Sequence, residues 1–201
     1  MIAAPDAVAS ARPGRPAAAT REEVLGVATE RYLAAERIDV QAIASGLGLA
    51  RATVYRWFGS REELIGEVVA AQGEALVERA RRRVGGRGPR ALLETFDRIN
   101  RALVSATALR ALFEQERDAA LRIVTSSAGA VHPRMVAAIE GLIRDEVQRC
   151  GWTPPADPQT LAYAIVRLAE GFLYSDVGVG VRGDVERLRD VEAALLAVSP
   201  R

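Results

Sequence analysis

The chain has 201 residues, of which 49% are hydrophobic and 5% aromatic, and this length allows one large or two small domains. Its formal net charge is only +1, so any basic surface must be local. One cysteine, Cys150, and one histidine, His132, exclude an intrachain disulfide and a zinc site of His and Cys ligands, and we predict no metal and no cofactor. No apolar run reaches about 18 residues, so we expect neither a signal peptide nor a membrane span, and a cytoplasmic location.

Residues 1–19 contain Pro and Gly, which oppose helix formation, together with Ala, and we predict a flexible N-terminal arm. Two arginines, Arg12 and Arg15, lie in this segment. Either the arm is a tail without a function, or these arginines follow a DNA backbone or enter a narrow A·T minor groove. The sequence leaves both readings open.

A capping box, T-x-x-E at residues 20–23, predicts a first helix to about Ala35. Asp39 can cap a second helix, in which Val40, Ile43 and Ala44 share one face. Gly48 suits the turn after it, because glycine adopts the left-handed conformation of a helix end at low cost. A third, short helix begins near Ala50, a position without a capping side chain.

The third helix has an apolar side and a polar side, which is typical of the second helix of a helix-turn-helix motif. Leu49, Val54 and Phe58 suit the inner side. The outward residues that we expect to contact double-stranded DNA are Arg51, Thr53, Tyr55, Arg56 and Trp57. The alternative is a pair of short core helices in another α protein, which the outward mixture of Arg, Thr and aromatic residues disfavours.

The motif I-A-x-x-L-G-L at residues 43–49, followed by T-V-Y-x-W-F at 53–58 and S-R-E-E-L at 60–64, resembles the TetR family of bacterial transcriptional regulators. The resemblance is tight over residues 20–70 and is one of all-helical architecture beyond them. The segments at 56–69, 93–103, 125–134 and 161–177 also resemble the QsdR-type branch. The resemblance implies that Thr20, Tyr55 and Arg61 approach the DNA backbone.

The same resemblance implies an all-α fold with an N-terminal three-helix DNA-binding domain and a C-terminal helical domain for ligand binding and dimerisation. We place the first domain at residues 20–66 and the second at 67–201. Periodicity and capping signals predict the helices of the second domain, which include 60–83, 89–107, 108–124, 133–150 and 158–177, with a last helix after Asp184. We expect residues 125–134 to form a loop, with His132 at its edge as a surface or capping residue and Pro133 opening the next helix.

Several polar residues of the C-terminal domain lie among apolar ones, which suits a mostly apolar pocket with a few orienting groups. We predict ligand contacts from Asn100, Glu116, Arg117, Arg167, Glu170 and Tyr174. Glu116 interrupts the apolar face of its helix, and a buried carboxylate needs a partner. The alternative is a structural network, such as Glu116 with Arg167, and both could hold.

The helix at 158–177 is the most apolar in the chain, which indicates burial on several sides. A second copy of the chain could cover one of them. We predict that the last two helices form a four-helix dimer interface, as the resemblance implies, through Leu161, Ile165, Leu168, Phe172, Leu188, Val191 and Leu195.

The sequence therefore predicts a DNA-binding transcriptional regulator, a homodimeric repressor of a palindromic operator that a small, partly hydrophobic effector releases. A helical module that binds a ligand or a protein without sequence-specific DNA binding is the alternative. An enzyme using Glu116 or Glu170 as acid or base is disfavoured, because the sequence has no nucleophile motif, phosphate loop or His and Cys cluster.

Overall fold

The computed structural model describes residues 19–174 and 184–200, and its regular secondary structure in these ranges is entirely helical. The helices are α1 (Arg21–Leu33), α2 (Val40–Gly46), α3 (Arg51–Phe58), α4 (Arg61–Arg83), α5 (Gly88–Ser105), α6 (Thr107–Gln115), α7 (Arg117–Thr125), α8 (Val131–Cys150), α9 (Pro158–Tyr174) and α10 (Val185–Leu195). The all-α prediction is confirmed. Within the described ranges, no helix is both long and apolar enough to cross a membrane.

Side-chain caps fix the starts of the first helices as the sequence predicts. Thr20 and Ser60 each form a complete capping box with the glutamate three residues on, at the starts of α1 and α4. The Asp39 carboxylate accepts hydrogen bonds from the backbone N–H groups of Gln41 and Ala42 at the start of α2. Ala50 offers α3 no such bond, so the start of this helix depends on packing alone.

The head, as we call α1 to α3, packs its apolar sides into one core. Val24 of α1, Ile43 of α2 and Val54 of α3 have at most 1% of their surface exposed, and Phe58 closes the core against α4. Burying an apolar side chain of this size contributes about 1.5–3 kcal/mol. Between α2 and α3 the chain reverses at Gly48, whose φ is +66°, as the turn of a helix-turn-helix requires.

Helix α4 is shared between the head and the rest of the chain, which we call the body. Its 23 residues span roughly 35 Å, at about 1.5 Å per residue. Leu64, Ile65 and Val68 on its first turns belong to the head core, whereas Val77 and Ala80 near its end pack with α5, α8 and α9. Helix α4 is therefore continuous between the two cores.

One predicted helix, 108–124, is two helices in the structure. Glu116 has φ of −149° and ψ of +60°, which lies outside the helical region and separates α6 from α7. The carboxylate that interrupts the apolar face is thus placed at a corner, where it can reach the head instead of being buried in a continuous helix. The prediction of a single helix was wrong at this residue.

Helix α8 begins earlier than predicted, at Val131, and Pro133 lies in its first turn rather than at its first residue. A proline is tolerated there because the first N–H groups of a helix have no partner within it. The earlier start turns His132 inward, and its exposed fraction is 3%. The expectation that His132 lies on the surface was wrong.

Candidate functional site

The outward face of α3 carries two exposed arginines on a helix that is anchored from behind by Val54 and Phe58. Arg51 donates from Nη2 to the Tyr55 hydroxyl over 2.9 Å, and its guanidinium lies 5.0 Å from the centre of the Tyr55 ring. This contact holds Arg51 extended along the helix surface. Arg56 is exposed, so the guanidinium groups of two arginines are available to base edges or phosphates.

The other predicted contacts on α3 lie at the edges of this face. Thr53, Tyr55 and Trp57 are half-buried, and Trp57 packs with its inner surface against the head core. Thr20 is exposed and its hydroxyl is engaged in capping α1. Arg12 and Arg15 lie outside the described residues.

Arg61, expected at the DNA backbone, is held inside the chain. Its Nε donates to the carbonyl of Ile38 over 2.6 Å, and Nη1 and Nη2 donate to Oε2 and Oε1 of Glu116 over 2.5 and 2.7 Å. Arg37 adds a bond of 3.2 Å to the same carboxylate. The hydrogen bonds from Arg61 hold the pKa of Glu116 below its usual value. A phosphate would have to compete with a bidentate carboxylate for this arginine.

The body contains a partly open cavity of about 80 Å³ between α4, α5, α7, α8, α9 and α10. Its wall is mainly apolar and is formed by Val77, Phe96, Ile99, Leu103, Val124, Val131, Met135, Ile139, Ile165, Val166, Ala169 and Leu173. Four polar residues interrupt this wall: Asn100, Glu170, Tyr174 and Glu192. A mostly apolar cavity with a few convergent polar groups is typical of a small-molecule site.

Glu192 and Asn100 form a buried polar pair in this wall. The Asn100 amide Nδ2 donates to Oε1 of Glu192 over 3.0 Å. Among the described residues, no group donates to Oε2 of Glu192, although the side chain is only 1% exposed. Burial raises the pKa of Glu192 to about 7, against a lowering by the Asn100 hydrogen bond. The carboxyl group therefore changes its charge near neutral pH.

Both carboxylate oxygens of Glu170, by contrast, have hydrogen-bond partners within the chain. Its Oε1 lies 2.7 Å from Nδ1 of His132, and its Oε2 accepts from Nη1 of Arg167 over 2.8 Å. Arg167 also donates to the carbonyl of Thr125 over 2.8 Å, which joins α9 to the end of α7. Tyr174 stacks on Phe113 with ring centres 5.2 Å apart, and burial raises the pKa of its hydroxyl.

The six predicted ligand contacts therefore divide into two groups. Asn100, Glu170 and Tyr174 line the cavity, whereas Glu116, Arg117 and Arg167 do not. Arg117 is exposed at the first residue of α7. The alternative pairing of Glu116 with Arg167 was also wrong, because Glu116 binds Arg61 and Arg37 of the head, and Arg167 binds Glu170.

Sequence reasoning missed Glu192, although a signal was present. This residue lies four positions after Leu188 and four before Leu196, both of which are fully buried, so it interrupts the apolar side of the last helix. A charged residue at an inner position needs a partner or a function.

Three of the seven residues predicted at a dimer interface are buried within the same chain. Leu161, Ile165 and Leu188 are at most 3% exposed, so their side chains have no surface left to offer a second copy. Their inward position follows from packing of α9 and α10 against α5 and α8. The remaining four predicted residues are half-buried: Leu168, Phe172, Val191 and Leu195.

Comparison with known proteins shows that this chain is similar to members of one protein family. Residues 87–197 match a family model described as "Tetracyclin repressor-like, C-terminal domain". The transcriptional repressor QsdR of R. erythropolis, from the TetR family, is 31% identical over 89% of this chain and 95% of its own, with a TM-score of 0.83. Among curated proteins, no sequence gives a significant match.

A more distant structure shows the same fold. The TetR family repressor AlkX from Dietzia sp. strain DQ12-45-1b, implicated in biodegradation of n-alkanes, is 19% identical, covers 89% of this chain and 94% of its own, and superposes with a TM-score of 0.61. The likeness therefore extends over the head and the body together.

Proposed function

Because the chain belongs to the TetR family of transcriptional regulators, we propose that it is a homodimeric repressor whose two α3 helices bind a palindromic operator and whose cavity binds a small, partly hydrophobic effector. The observation that carries this proposal is that one chain has both an α3 with exposed arginines and a mainly apolar cavity near the other end of α4.

The surface of α3 supports the DNA-binding part. An arginine fork can bind guanine O6 and N7 together or grip a phosphate, and Arg51 and Arg56 extend from a helix short enough to lie in a major groove. One α3 meets only a few base pairs. Two copies related by a two-fold axis would place their α3 helices about 34–36 Å apart, on successive major grooves. The half-buried Leu168, Phe172, Val191 and Leu195 are the surface that we propose for this pairing.

The route from cavity to head supports the effector part. Val77 of α4 lines the cavity, and the first turns of the same helix hold the head core. Arg61 and Glu116 form a second link, because one lies at the start of α4 and the other at the corner between α6 and α7. An effector shifts the equilibrium only if it binds the DNA-incompetent arrangement more tightly. Glu116 and Glu170 have no catalytic role in this proposal, since ion pairs occupy both carboxylates.

Selection from a pool of random duplexes tests the DNA-binding part directly. The expected result is an inverted repeat whose half-sites are centred about 10–10.5 base pairs, or a multiple of that spacing, apart. Analytical ultracentrifugation of the protein with one selected duplex should give two chains per duplex. Recovery of duplexes without any shared sequence would contradict the proposal, and so would a single chain per duplex.

A further inference from the structure

Glu192 lines the cavity, and among the residues that the structure describes none donates a hydrogen bond to its oxygen Oε2. It belongs to a side chain that is 1% exposed, and the other oxygen of the same carboxyl group is held by Asn100. Buried polar atoms are nearly always hydrogen-bonded in folded proteins. Because Glu192 is one of the residues that line the cavity, a donor that arrives with a ligand is the partner that we assign to Oε2.

Two of the other three polar residues of the wall are already engaged within the chain. Both oxygens of Glu170 are engaged by His132 and Arg167, and the amide nitrogen of Asn100 is engaged by Glu192. The described residues that line the cavity include two carboxylates and no cationic side chain. A ligand carboxylate would therefore meet like charge and no donor from Arg or Lys.

We propose that Glu192 is the polar anchor of the cavity and that it selects apolar ligands carrying an N–H or O–H donor, amines above all, over carboxylates of the same shape. This proposal rests on the effector cavity of the proposed function and names the chemical class of its ligand. The donor lies at one end of a mainly hydrocarbon ligand, because most of the wall is apolar.

The charge of Glu192 makes the preference for amines dependent on pH. Burial and the neighbouring Asp97 raise the pKa of its carboxyl group to about 7, while Asn100 and Arg189 act in the opposite direction. An alkylammonium group remains charged well above this value, as the side chain of lysine does. Amine binding should therefore strengthen between pH 6 and pH 8, as Glu192 loses its proton, whereas binding of a neutral ligand without a donor should not.

Four small probes of nearly equal length test the proposal: butylamine, 1-butanol, 1-chlorobutane and butanoate. The chain has two methionines, Met1 and Met135, and Met135 lines the cavity, so its ¹³C-labelled methyl group reports occupancy. At pH 8 we expect butylamine to bind about tenfold more tightly than 1-chlorobutane, as one charge-assisted hydrogen bond allows. Butanol should fall between them, and butanoate should be the weakest.

The variant Glu192→Gln removes the charge and should abolish the preference for butylamine while leaving 1-chlorobutane within about twofold. The matched control Ile139→Val alters another lining residue and should change the four affinities by one common factor. If Glu192→Gln does not fold, the wild-type protein still decides the question, through the ratio of butylamine to 1-chlorobutane affinity at pH 6 and pH 8.

The outcomes separate this proposal from the repressor proposal. Equal binding of butylamine and 1-chlorobutane at both pH values overturns the role of Glu192 and leaves a repressor with an unselective cavity. A Met135 methyl signal that no probe shifts also overturns it. Failure of the DNA selection overturns the repressor alone, because the Met135 signal needs no DNA.

Discussion

The face of α3 and the wall of the cavity carry functional residues in opposite environments. On α3 the arginines are exposed to solvent, and the helix is anchored by its apolar back. In the cavity wall Asn100, Tyr174 and Glu192 are buried, and a buried polar group needs a partner from the protein or from a ligand. The comparison teaches that an exposed site is identified by which residues face outward, whereas a buried site is identified by which partner is missing.

The largest effect that we expect is the loss of stability that the buried Glu192 carboxyl group causes as the pH rises. Its pKa of about 7 in the folded chain exceeds the ordinary value of 4.5, so the folded state binds a proton that the unfolded state has lost. Stability is therefore highest below about pH 4.5 with respect to this group and falls as the pH rises to 7. By about pH 8 the loss approaches 3 kcal/mol, at 1.36 kcal/mol per pKa unit.

Glu192→Gln should remove this loss, so the variant should be more stable than the wild type at pH 8 by up to about 3 kcal/mol and nearly equal to it at pH 4.5. Urea unfolding at several pH values measures the difference. Glu78→Gln changes an exposed glutamate and serves as the control. A difference between wild type and Glu192→Gln that is the same at all pH values would show that burial does not perturb this carboxyl group.

The next effect concerns the exposed face. Arg51→Ala or Arg56→Ala should weaken binding to a selected operator by about 1–3 kcal/mol if the arginine contacts guanine. Fluorescence anisotropy on the operator and on an unrelated duplex measures the specific part. Arg98→Ala removes an exposed arginine from α5 and should leave both affinities unchanged. Equal losses on the two duplexes would show that these arginines contact only phosphates.

The ion pair of Arg61 and Glu116 lies between the two environments, since their side chains are 24% and 18% exposed. Glu116→Gln should lower the free energy of unfolding by about 1–2 kcal/mol at neutral pH. Because Arg61 lowers the pKa of Glu116, the stabilisation is present above the ordinary pKa and is lost as the pH falls through the lowered one. The variant should therefore approach the wild type in acid.

Glu114→Gln provides the matched control for this ion pair, because Glu114 is an exposed neighbour on α6. Thermal unfolding at pH 7 should leave Glu114→Gln close to the wild type and separate Glu116→Gln from it. If the two variants unfold alike, the contact between head and body contributes nothing measurable to stability.

The same comparison explains what the sequence could predict. The apolar periodicity of Val24, Ile43 and Val54 and the capping residues Thr20 and Asp39 act locally, so they identify the head correctly. The partners of buried charges come from distant parts of the chain: Glu116 binds a residue 55 positions away, and Asn100 binds one 92 positions away. No local pattern records such a pairing.

The sequence does not reveal which apolar residues of α9 are buried inside the chain, for a related reason. An apolar residue has the same appearance in the sequence whether it packs inside the chain or against a second copy. Leu161 and Ile165 pack inside, and only the position of α5 and α8 decides this. The polar interruptions of an apolar helix were the more informative signal, since Glu192 and Glu170 both mark the cavity.

The smallest effect tests whether α3 is held by packing alone. Ala50 has φ of −74° and ψ of +139°, the extended conformation of a capping position, but its side chain has no oxygen to accept from the first N–H groups of the helix. Ala50→Ser should therefore raise the free energy of unfolding by about 1 kcal/mol. Ser60→Ala, which removes the cap of α4, should lower it by a similar amount. Guanidinium unfolding of the two variants measures both changes.

Because Ala50 lies beside the exposed face of α3, the operator affinity of Ala50→Ser decides what the missing cap does. An unchanged affinity means that the core already fixes the helix. A tighter affinity means that ordering the uncapped first turn on DNA costs binding energy in the wild type.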